Sequence, residues 1–185
     1  MNKPTALLIV VLAAIGLTVP ANAAPVTWTL VNAVFEDGGT ASGTFTYDAD
    51  TNVYSAIDIV TTAGSIQNGA EYHIAAPMFV HAATRFGAVP VPSPGLTGLT
   101  IFSITWASAL TNAGGLVSIL TADHASAEGV CLNFNCSSFN GYLGGARLFV
   151  SGYVTTSEVP LPAALPMFLA GLAGMGALRL KKRAA

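Results

Sequence analysis

Alternation of apolar and polar residues is the clearest structural signal in the chain, and it begins at Val26. It runs from Val26 to Phe35 and resumes after a Gly-rich turn sequence from Thr40 to Tyr47. The predicted inward-facing residues are Val26, Trp28 and Leu30 in the first segment and Ala41, Gly43, Phe45 and Tyr47 in the second. The opposite face of the second segment carries only Thr and Ser, so the pattern predicts antiparallel strands with one face in solvent.

A weaker alternation of apolar and polar residues continues along the rest of the chain. A third strand is predicted from Val53 to Thr62, with Val53, Ile57 and Ile59 on one face and Tyr54, Asp58 and Thr62 on the other. The further predicted strands are Glu71–Ala75, Met78–Ala83, Thr100–Ser108, Leu116–Thr121 and Arg147–Thr156. The predicted apolar faces of two of these hold Phe102, Ile104 and Trp106, and Leu148, Val150 and Val154.

Two stretches between these segments do not have the pattern of a strand. Residues 88–98 contain three prolines, which cannot donate to a strand ladder, so an extended surface connection is expected there. Residues 122–145 are rich in Asn and Gly and predict loops. Together the predicted strands and loops indicate an all-β domain, and we expect an antiparallel β-sandwich or a jelly-roll-like arrangement.

The N-terminal 23 residues have the pattern of a secretory signal peptide. Lys3 precedes an apolar run from Ala6 to Val19, and Ala21-Asn22-Ala23 supplies the small residues of a cleavage site. Cleavage is expected after Ala23, with a retained N-terminal anchor as the alternative.

The C-terminal 27 residues read as a spacer, a membrane segment and a basic stop. Val159-Pro160-Leu161-Pro162 is followed by an apolar run over residues 163–178. The basic residues after that run are Arg179, Lys181, Lys182 and Arg183. The run approaches the roughly 17–25 residues that span a hydrocarbon core, and the basic residues would stay on the cytoplasmic side. The expected organisation is a leader (1–23), an exported β-domain (24–158) and a transmembrane tail (159–185).

This tail resembles the PEP-CTERM sorting signal, in which a Pro-x-Pro motif, a transmembrane helix and an Arg-rich end are recognised by an exosortase. Pro160 and Pro162 fill the motif, and Leu161 stands where the family more often has Glu. The resemblance implies an exosortase-type processing enzyme as partner, and delivery to the cell surface or an exopolysaccharide matrix. An ordinary C-terminal membrane anchor is the alternative.

A second segment is similar to one near the mature N-terminus of many PEP-CTERM proteins. It comprises Trp28-x-Leu30, Phe35-x-Asp37-Gly38-Gly39, Gly43-x-Phe45-x-Tyr47-Asp48 and Tyr54-Ser55. The resemblance implies a small exported all-β domain.

Charge excludes one class of partner. The region 24–158 holds all nine acidic residues of the chain but only two basic ones, Arg85 and Arg147, which gives a net charge of −7. Nucleic-acid binding is not expected, because phosphate contacts need clustered Lys and Arg.

Cys131 and Cys136 are the only cysteines, and four residues separate them in the exported region. An even count at close spacing in an exported protein predicts a disulfide. The short loop would limit its stabilisation to about 2 kcal/mol.

Candidate chemistry is sparse. The sequence has no G-x-S-x-G, P-loop or H-E-x-x-H motif. His73, His81 and His124 lie in different segments, so we expect surface or half-buried histidines and no metal site or cofactor.

Two further groups have alternative interpretations. Asp48-x-Asp50-x-Asn52 is similar to the start of a calcium loop but lacks its Gly and bidentate Glu, so a hairpin turn is expected. Exposed Tyr54, Tyr72 and Tyr142 could stack on sugar rings or lie on a sheet face.

The function predicted is that of a non-enzymatic exported surface or matrix protein. The alternatives are a carbohydrate-binding or carbohydrate-processing domain, and a plain membrane-anchored periplasmic protein.

Overall fold

The computed structural model describes residues 24–77, 79–122, 125–136 and 145–156. These ranges contain ten strands and no α-helix. The strands are β1 (Val26–Phe35), β2 (Thr40–Asp48), β3 (Val53–Thr61), β4 (Glu71–Tyr72), β5 (Ile74–Ala75), β6 (Arg85–Val89), β7 (Thr100–Thr105), β8 (Leu116–Ser118), β9 (Ala127–Val130) and β10 (Arg147–Thr155). The predicted all-β class is confirmed.

Both terminal predictions concern residues outside the described ranges. The leader 1–23 and the tail 159–185 therefore stay predictions from sequence. Within the described ranges, no helix has the length and apolar character needed to cross a membrane.

All the strand pairs are antiparallel, in the order β4-β3-β2-β1-β10-β9-β7-β6-β5. Strand β10 is the long central element. One of its edges pairs with β1, and the other pairs first with β9 and then with β8. The first and last long strands of the domain thus lie side by side, which ties the ends of the β-region together.

The sheet closes on itself through the stretch from Glu71 to Ala75. β4 pairs with β3 at one end of the strand order, and β5 pairs with β6 at the other end. Only His73 separates β4 from β5, so one short segment pairs with the strands at both ends of the strand order. The segment covers part of each edge, at Ile59 and Val60 of β3 and at Ala88 and Val89 of β6, and so reduces the open backbone that invites pairing with other chains.

An aromatic core fills the space between the facing strands. The Phe45 ring of β2 stacks on Phe86 of β6 with 5.2 Å between centroids, and on Trp106 with 5.7 Å. The Phe102 ring of β7 meets Phe149 of β10 edge-on at 5.6 Å. Each such side chain contributes about 1.5–3 kcal/mol through burial, so these contacts hold the two sides of the closed sheet together.

The predicted faces of β1 and β2 are confirmed. The alternate residues of β1 from Val26 to Leu30 are buried, and so are Ala41, Phe45 and Tyr47 of β2. The intervening Thr and Ser residues are exposed or half-buried, as a half-solvated strand requires.

The predicted face of β3 was wrong at its start. Tyr54 is buried, whereas Val53 is 51% exposed. Ala56 has a φ of 44°, and the pairing with β2 shifts at the same place. This bulge moves the chain out of phase by one residue, so that Ile57 and Ile59 still face inward.

The predicted face of β10 was also wrong. Phe149 is buried and Val150 is 55% exposed, while Leu148 is half-buried. Gly152 has a φ of 139°, and after it the alternation returns to the predicted face, so that Val154 is buried. The pairing with β1 is irregular over the same region.

Two strand assignments were wrong in position. Of the predicted strand Met78–Ala83, the described residues 79–83 form no strand apart from an isolated bridge between Ala82 and Arg85, and the strand lies at β6 instead. β9 falls inside residues 122–145, which were predicted as loops. Its inward residue is Glu128, so the segment shows no apolar alternation.

The proline-rich stretch is partly as predicted. Its three prolines lie outside the strands, but Ala88 and Val89 belong to β6. Leu96 is fully buried in a second, smaller cluster that includes Val89 and Ile101. This connection therefore packs one apolar anchor against the domain rather than lying wholly on its surface.

Candidate functional site

A pair of charged side chains lies inside the domain. Arg147 and Glu128 have no exposed side-chain surface and are direct partners across β10 and β9. Arg147 Nε donates to Glu128 Oε2 at 2.8 Å. Arg147 Nη2 lies 2.6 Å from the same oxygen but is not aligned to form a hydrogen bond. The ion pair is thus a buried cross-strand pair.

The second carboxylate oxygen of Glu128 accepts hydrogen bonds from two hydroxyl groups. One is the Tyr72 hydroxyl of β4, and the other is Thr61 Oγ1 of β3, at 3.0 Å. Burial raises the pKa of Tyr72, and the neighbouring Glu128 carboxylate raises it further. The phenol therefore stays protonated and serves as a hydrogen-bond donor.

The Nη1 side of the Arg147 guanidinium contacts the turn between β1 and β2 and the residue that follows β3. Arg147 Nη1 donates to the Thr62 carbonyl at 2.7 Å and lies 3.4 Å from Asp37 Oδ2. Its planar group also stacks over the Phe35 ring, 4.2 Å from the centroid. We call Asp37, Thr61, Tyr72, Glu128 and Arg147 the buried ionic network.

Asp37 connects this network to a surface loop. Its Oδ1 accepts from Gly39 N at 3.0 Å, and its Oδ2 accepts from the backbone N–H groups of Ile66 and Gln67. Burial by itself would raise the pKa of Asp37, but the three backbone hydrogen bonds and the charge of Arg147 outweigh it. The net effect lowers the pKa below 3.8.

The buried ionic network is enclosed, and its polar groups bond to one another and to the backbone. Both oxygens of Glu128 and two edges of the guanidinium are used, and the ion pair is closed to solvent. Buried charges are tolerated when they are paired and hydrogen-bonded in this way. The network joins the β1–β2 turn, β3, β4, β9 and β10, and so fixes one end of the closed sheet.

The predicted disulfide is confirmed. Cys131 and Cys136 are bonded, with 4.9 Å between their Cα atoms. Cys131 is buried against the cluster around Leu96. The backbone N–H of Leu96 donates to the Phe134 carbonyl at 2.8 Å, so the bridged loop also holds the proline-rich connection.

The two histidines within the described ranges, His73 and His81, have different surroundings. His73 is exposed, with Nδ1 3.6 Å from Asp58 and Nε2 3.5 Å from Glu71. The two carboxylates approach opposite ring nitrogens, so His73 and these acids cannot chelate one ion together. Within the described ranges there is no group of three or more residues able to hold a metal.

His81 is half-buried, as predicted from sequence, and its Nε2 is 3.0 Å from the Ala76 carbonyl. Burial lowers the pKa of His81; the hydrogen bond to Ala76 opposes that effect, and the charge of Arg85 adds to it. His124 lies outside the described residues.

The acidic turn between β2 and β3 is a hairpin turn, as predicted. Asp48 Oδ1 accepts from Asp50 N at 3.0 Å, and Asp48 Oδ2 accepts from Thr51 Oγ1 at 2.7 Å. Asn52 supplies the positive φ of 57° that reverses the chain. Asp48 thus bonds its own turn.

The expectation that Tyr54 and Tyr72 are exposed was wrong. Tyr72 is fully buried in the network, and Tyr54 is 6% exposed with its hydroxyl bonded to the Ala82 carbonyl at 2.8 Å. Neither can stack on a sugar ring. Tyr142 lies outside the described residues.

Residues in the glycine-rich and aromatic segment from Trp28 to Ser55 have structural roles. Gly38 has a φ of 86° in the turn, and a side chain at Gly43 would strike the backbone of Asp58. Phe45 and Tyr47 belong to the core. The pattern therefore follows the first hairpin and its packing.

The other residues predicted from sequence lie outside the described ranges. They are Ala21 and Ala23 of the cleavage site, Val159, Pro160, Leu161 and Pro162 of the sorting motif, and Arg179, Lys181, Lys182 and Arg183 of the basic end.

Sequence reasoning missed the network. One signal could have indicated part of it: Arg147 is two residues before Phe149 in a predicted strand, so both share a face. Nothing local points to Glu128, because its strand has no apolar period.

No protein-family model, curated protein or solved structure matches the chain. The class of protein therefore rests on the fold and on the sequence patterns at its two ends.

Proposed function

We propose that this is a non-enzymatic exported protein, sorted by an exosortase-type enzyme to the cell surface or an exopolysaccharide matrix. One observation carries the proposal: Pro160-Leu161-Pro162, an apolar run and a basic end occur in that order in the tail. The leader at the opposite end favours export by the general secretory route.

The disulfide supports the same assignment. Disulfides persist in oxidising compartments and are rare in the cytosol. A bridged Cys131–Cys136 pair is therefore in keeping with export of the domain. The buried ionic network is compatible with a binding or structural role, since its ion pair is enclosed.

The way in which the strands are arranged into layers is also part of this proposal. We assign the domain to the β-sandwich or jelly-roll-like class, because aromatic side chains of facing strands form a common core. Such domains present broad, solvated sheet faces, which suits a protein that works by surface contact.

The test uses the tagged full-length chain in a bacterium that expresses an exosortase. Wild-type protein should lose the residues before Ala24 and reach the cell surface or medium. The double variant P160A/P162A should lose the same leader but stay in the membrane, because the apolar run and the basic end are unchanged. The double variant L165A/P166A, just after the motif, is the matched control and should be sorted like wild type.

Three results would contradict the proposal. Protein that still begins at Met1 would argue against the leader. Sorting of P160A/P162A at the wild-type level would favour a plain anchor, as would an intact tail in all mature wild-type protein.

A further inference from the structure

The outer face of β1, β2 and β10 carries a regular array of hydroxyl groups. Inward-facing Trp28, Phe45 and Val154 are buried, so their neighbours along each strand point outward. We call the following six residues the hydroxyl face: Thr27, Thr29, Thr44, Thr46, Tyr153 and Thr155. All are exposed or half-buried.

The strand register sets these residues side by side. Thr27 is opposite Thr46, and Thr29 is opposite Thr44 on one side and Thr155 on the other. The Oγ1 atoms of Thr27 and Thr46 are 3.1 Å apart, within hydrogen-bonding distance. Neighbouring strands are about 4.8 Å apart, and residues two positions along a strand about 6.7 Å apart, so the hydroxyl groups form a two-dimensional grid.

Tyr153 adds an aromatic ring to this grid. It lies two residues before Thr155 on β10, opposite Ser118 of β8. A half-exposed Tyr presents an apolar ring and a polar tip. A pyranose ring needs both features, since its C–H face packs on an aromatic ring and its hydroxyl groups exchange hydrogen bonds with hydroxyl side chains.

Charge selects among the polymers that such a face could bind. The six positions carry no charge, while the region 24–158 has a net charge of −7. An anionic polymer would be repelled by the acidic surroundings, whereas a neutral one would not. The nearest charged residue in register is the exposed Asp58 of β3, which is opposite Thr44 and adds a negative charge at the border of the face.

We propose that the hydroxyl face binds a neutral polysaccharide, with Tyr153 as the stacking platform. This inference rests on the proposed delivery of the protein to a polysaccharide matrix. It adds a ligand class and a site on the domain.

The test measures retention of the full-length chain, purified in detergent, on immobilised polysaccharides. The probes are two neutral polymers, dextran and galactomannan, and one anionic polymer, alginate. We expect retention on at least one neutral probe and little on alginate. Y153A should weaken that retention roughly tenfold, and Y153F should keep most of it because the ring remains.

The matched variants separate binding from folding. T29V/T155V removes two hydroxyl groups while keeping side-chain shape and strand propensity, and should weaken binding several-fold. T97V makes the same change at an exposed threonine in a turn away from the face and should bind like wild type. Thermal unfolding of each variant reports whether its fold is intact.

Failure to bind either neutral probe would overturn the inference, as would equal binding of wild type, Y153A and T29V/T155V. Stronger retention on alginate than on both neutral probes would also overturn it. These outcomes are independent of sorting. Face variants should be exported normally, and an export failure of wild-type protein would defeat the proposed function whatever the retention assay shows.

Discussion

Removal of Arg147 should destabilise the domain more than removal of any exposed charge. In R147M the Met side chain would still pack near Phe35, but Glu128 would keep a carboxylate with no exposed surface and no cation beside it. Breaking a buried pair by removing one partner costs about 3–5 kcal/mol. The free energy of unfolding of a folded protein is usually about 5–15 kcal/mol. R147M should therefore keep only a small part of the stability of the wild-type domain.

The second half of the experiment removes the other partner. E128L should also destabilise, because it removes the closer of the two carboxylates from the guanidinium and leaves only Asp37, 3.4 Å away. The double variant R147M/E128L removes both charges, so its loss should be smaller than the sum of the two single losses by about 2–3 kcal/mol. Some loss should remain, since the hydroxyl groups of Thr61 and Tyr72 lose their acceptor.

Equilibrium urea unfolding of the full-length chain in detergent, followed by Trp fluorescence, gives the free energies. The chain has two Trp residues, Trp28 and Trp106, and both are buried in the β-domain. Their emission therefore reports unfolding of this domain alone. D50N, in the exposed turn after β2, is the matched control and should change stability by less than about 0.5 kcal/mol.

Two results would refute this reasoning. A loss of less than about 1 kcal/mol in R147M would show that the buried charge is not held by its ion pair. Additive losses in the double variant would show that Arg147 and Glu128 act independently. If R147M does not fold at all, D37N supplies a milder test, because Asp37 lies 3.4 Å from the guanidinium and loses only part of the interaction. We expect a loss of about 1–3 kcal/mol for D37N.

The remaining predictions concern the disulfide and His81. C131S/C136S should lose about 2 kcal/mol in the same urea assay, and wild-type protein should be two hydrogens lighter by mass spectrometry than after reduction; two free thiols in exported protein would contradict the bridge. Because burial lowers the pKa of His81 below its ordinary value of 6.5, the unfolded chain takes up the proton first, and stability should fall as the pH drops below 6.5 towards the folded-state pKa. H81Q should lack this part of the pH dependence, so equal slopes in wild type and H81Q between pH 7.5 and 5.5 would argue against it.

The local pattern was sufficient to predict strands that have one apolar and one polar face. β1 and β2 were predicted with their faces correct, because the predicted inward residues from Val26 to Leu30 and from Ala41 to Tyr47 are buried, apart from the half-buried Gly43. A side chain in a strand points to alternate sides wherever the backbone is regular. The turn at Asp48 was predictable for a similar reason, since Asp48 accepts hydrogen bonds from Asp50 and Thr51 of the same turn; its further contact with Asn112 was not predictable.

Bulges and long-range partners could not be derived from the pattern. The bulge at Ala56 and the irregular pairing around Gly152 each shift the phase of a strand by one residue. A one-residue shift moves every following side chain to the other face. Whether a strand bulges depends on its fit to the strand beside it. That strand is β1, from the other end of the domain, for β10 and the hairpin neighbour β2 for β3, and the alternation within one strand does not record the fit.

The sequence by itself determined the class of the domain, its hairpin turns and the disulfide, because each depends on residues that are neighbours along the chain. Only the tertiary structure decided that the sheet closes through Glu71–Ala75 and that Arg147 meets Glu128 and Asp37. Those contacts join positions up to 110 residues apart. A buried charge is stable only where the fold brings its partners to it, and no local pattern of residue types records that placement.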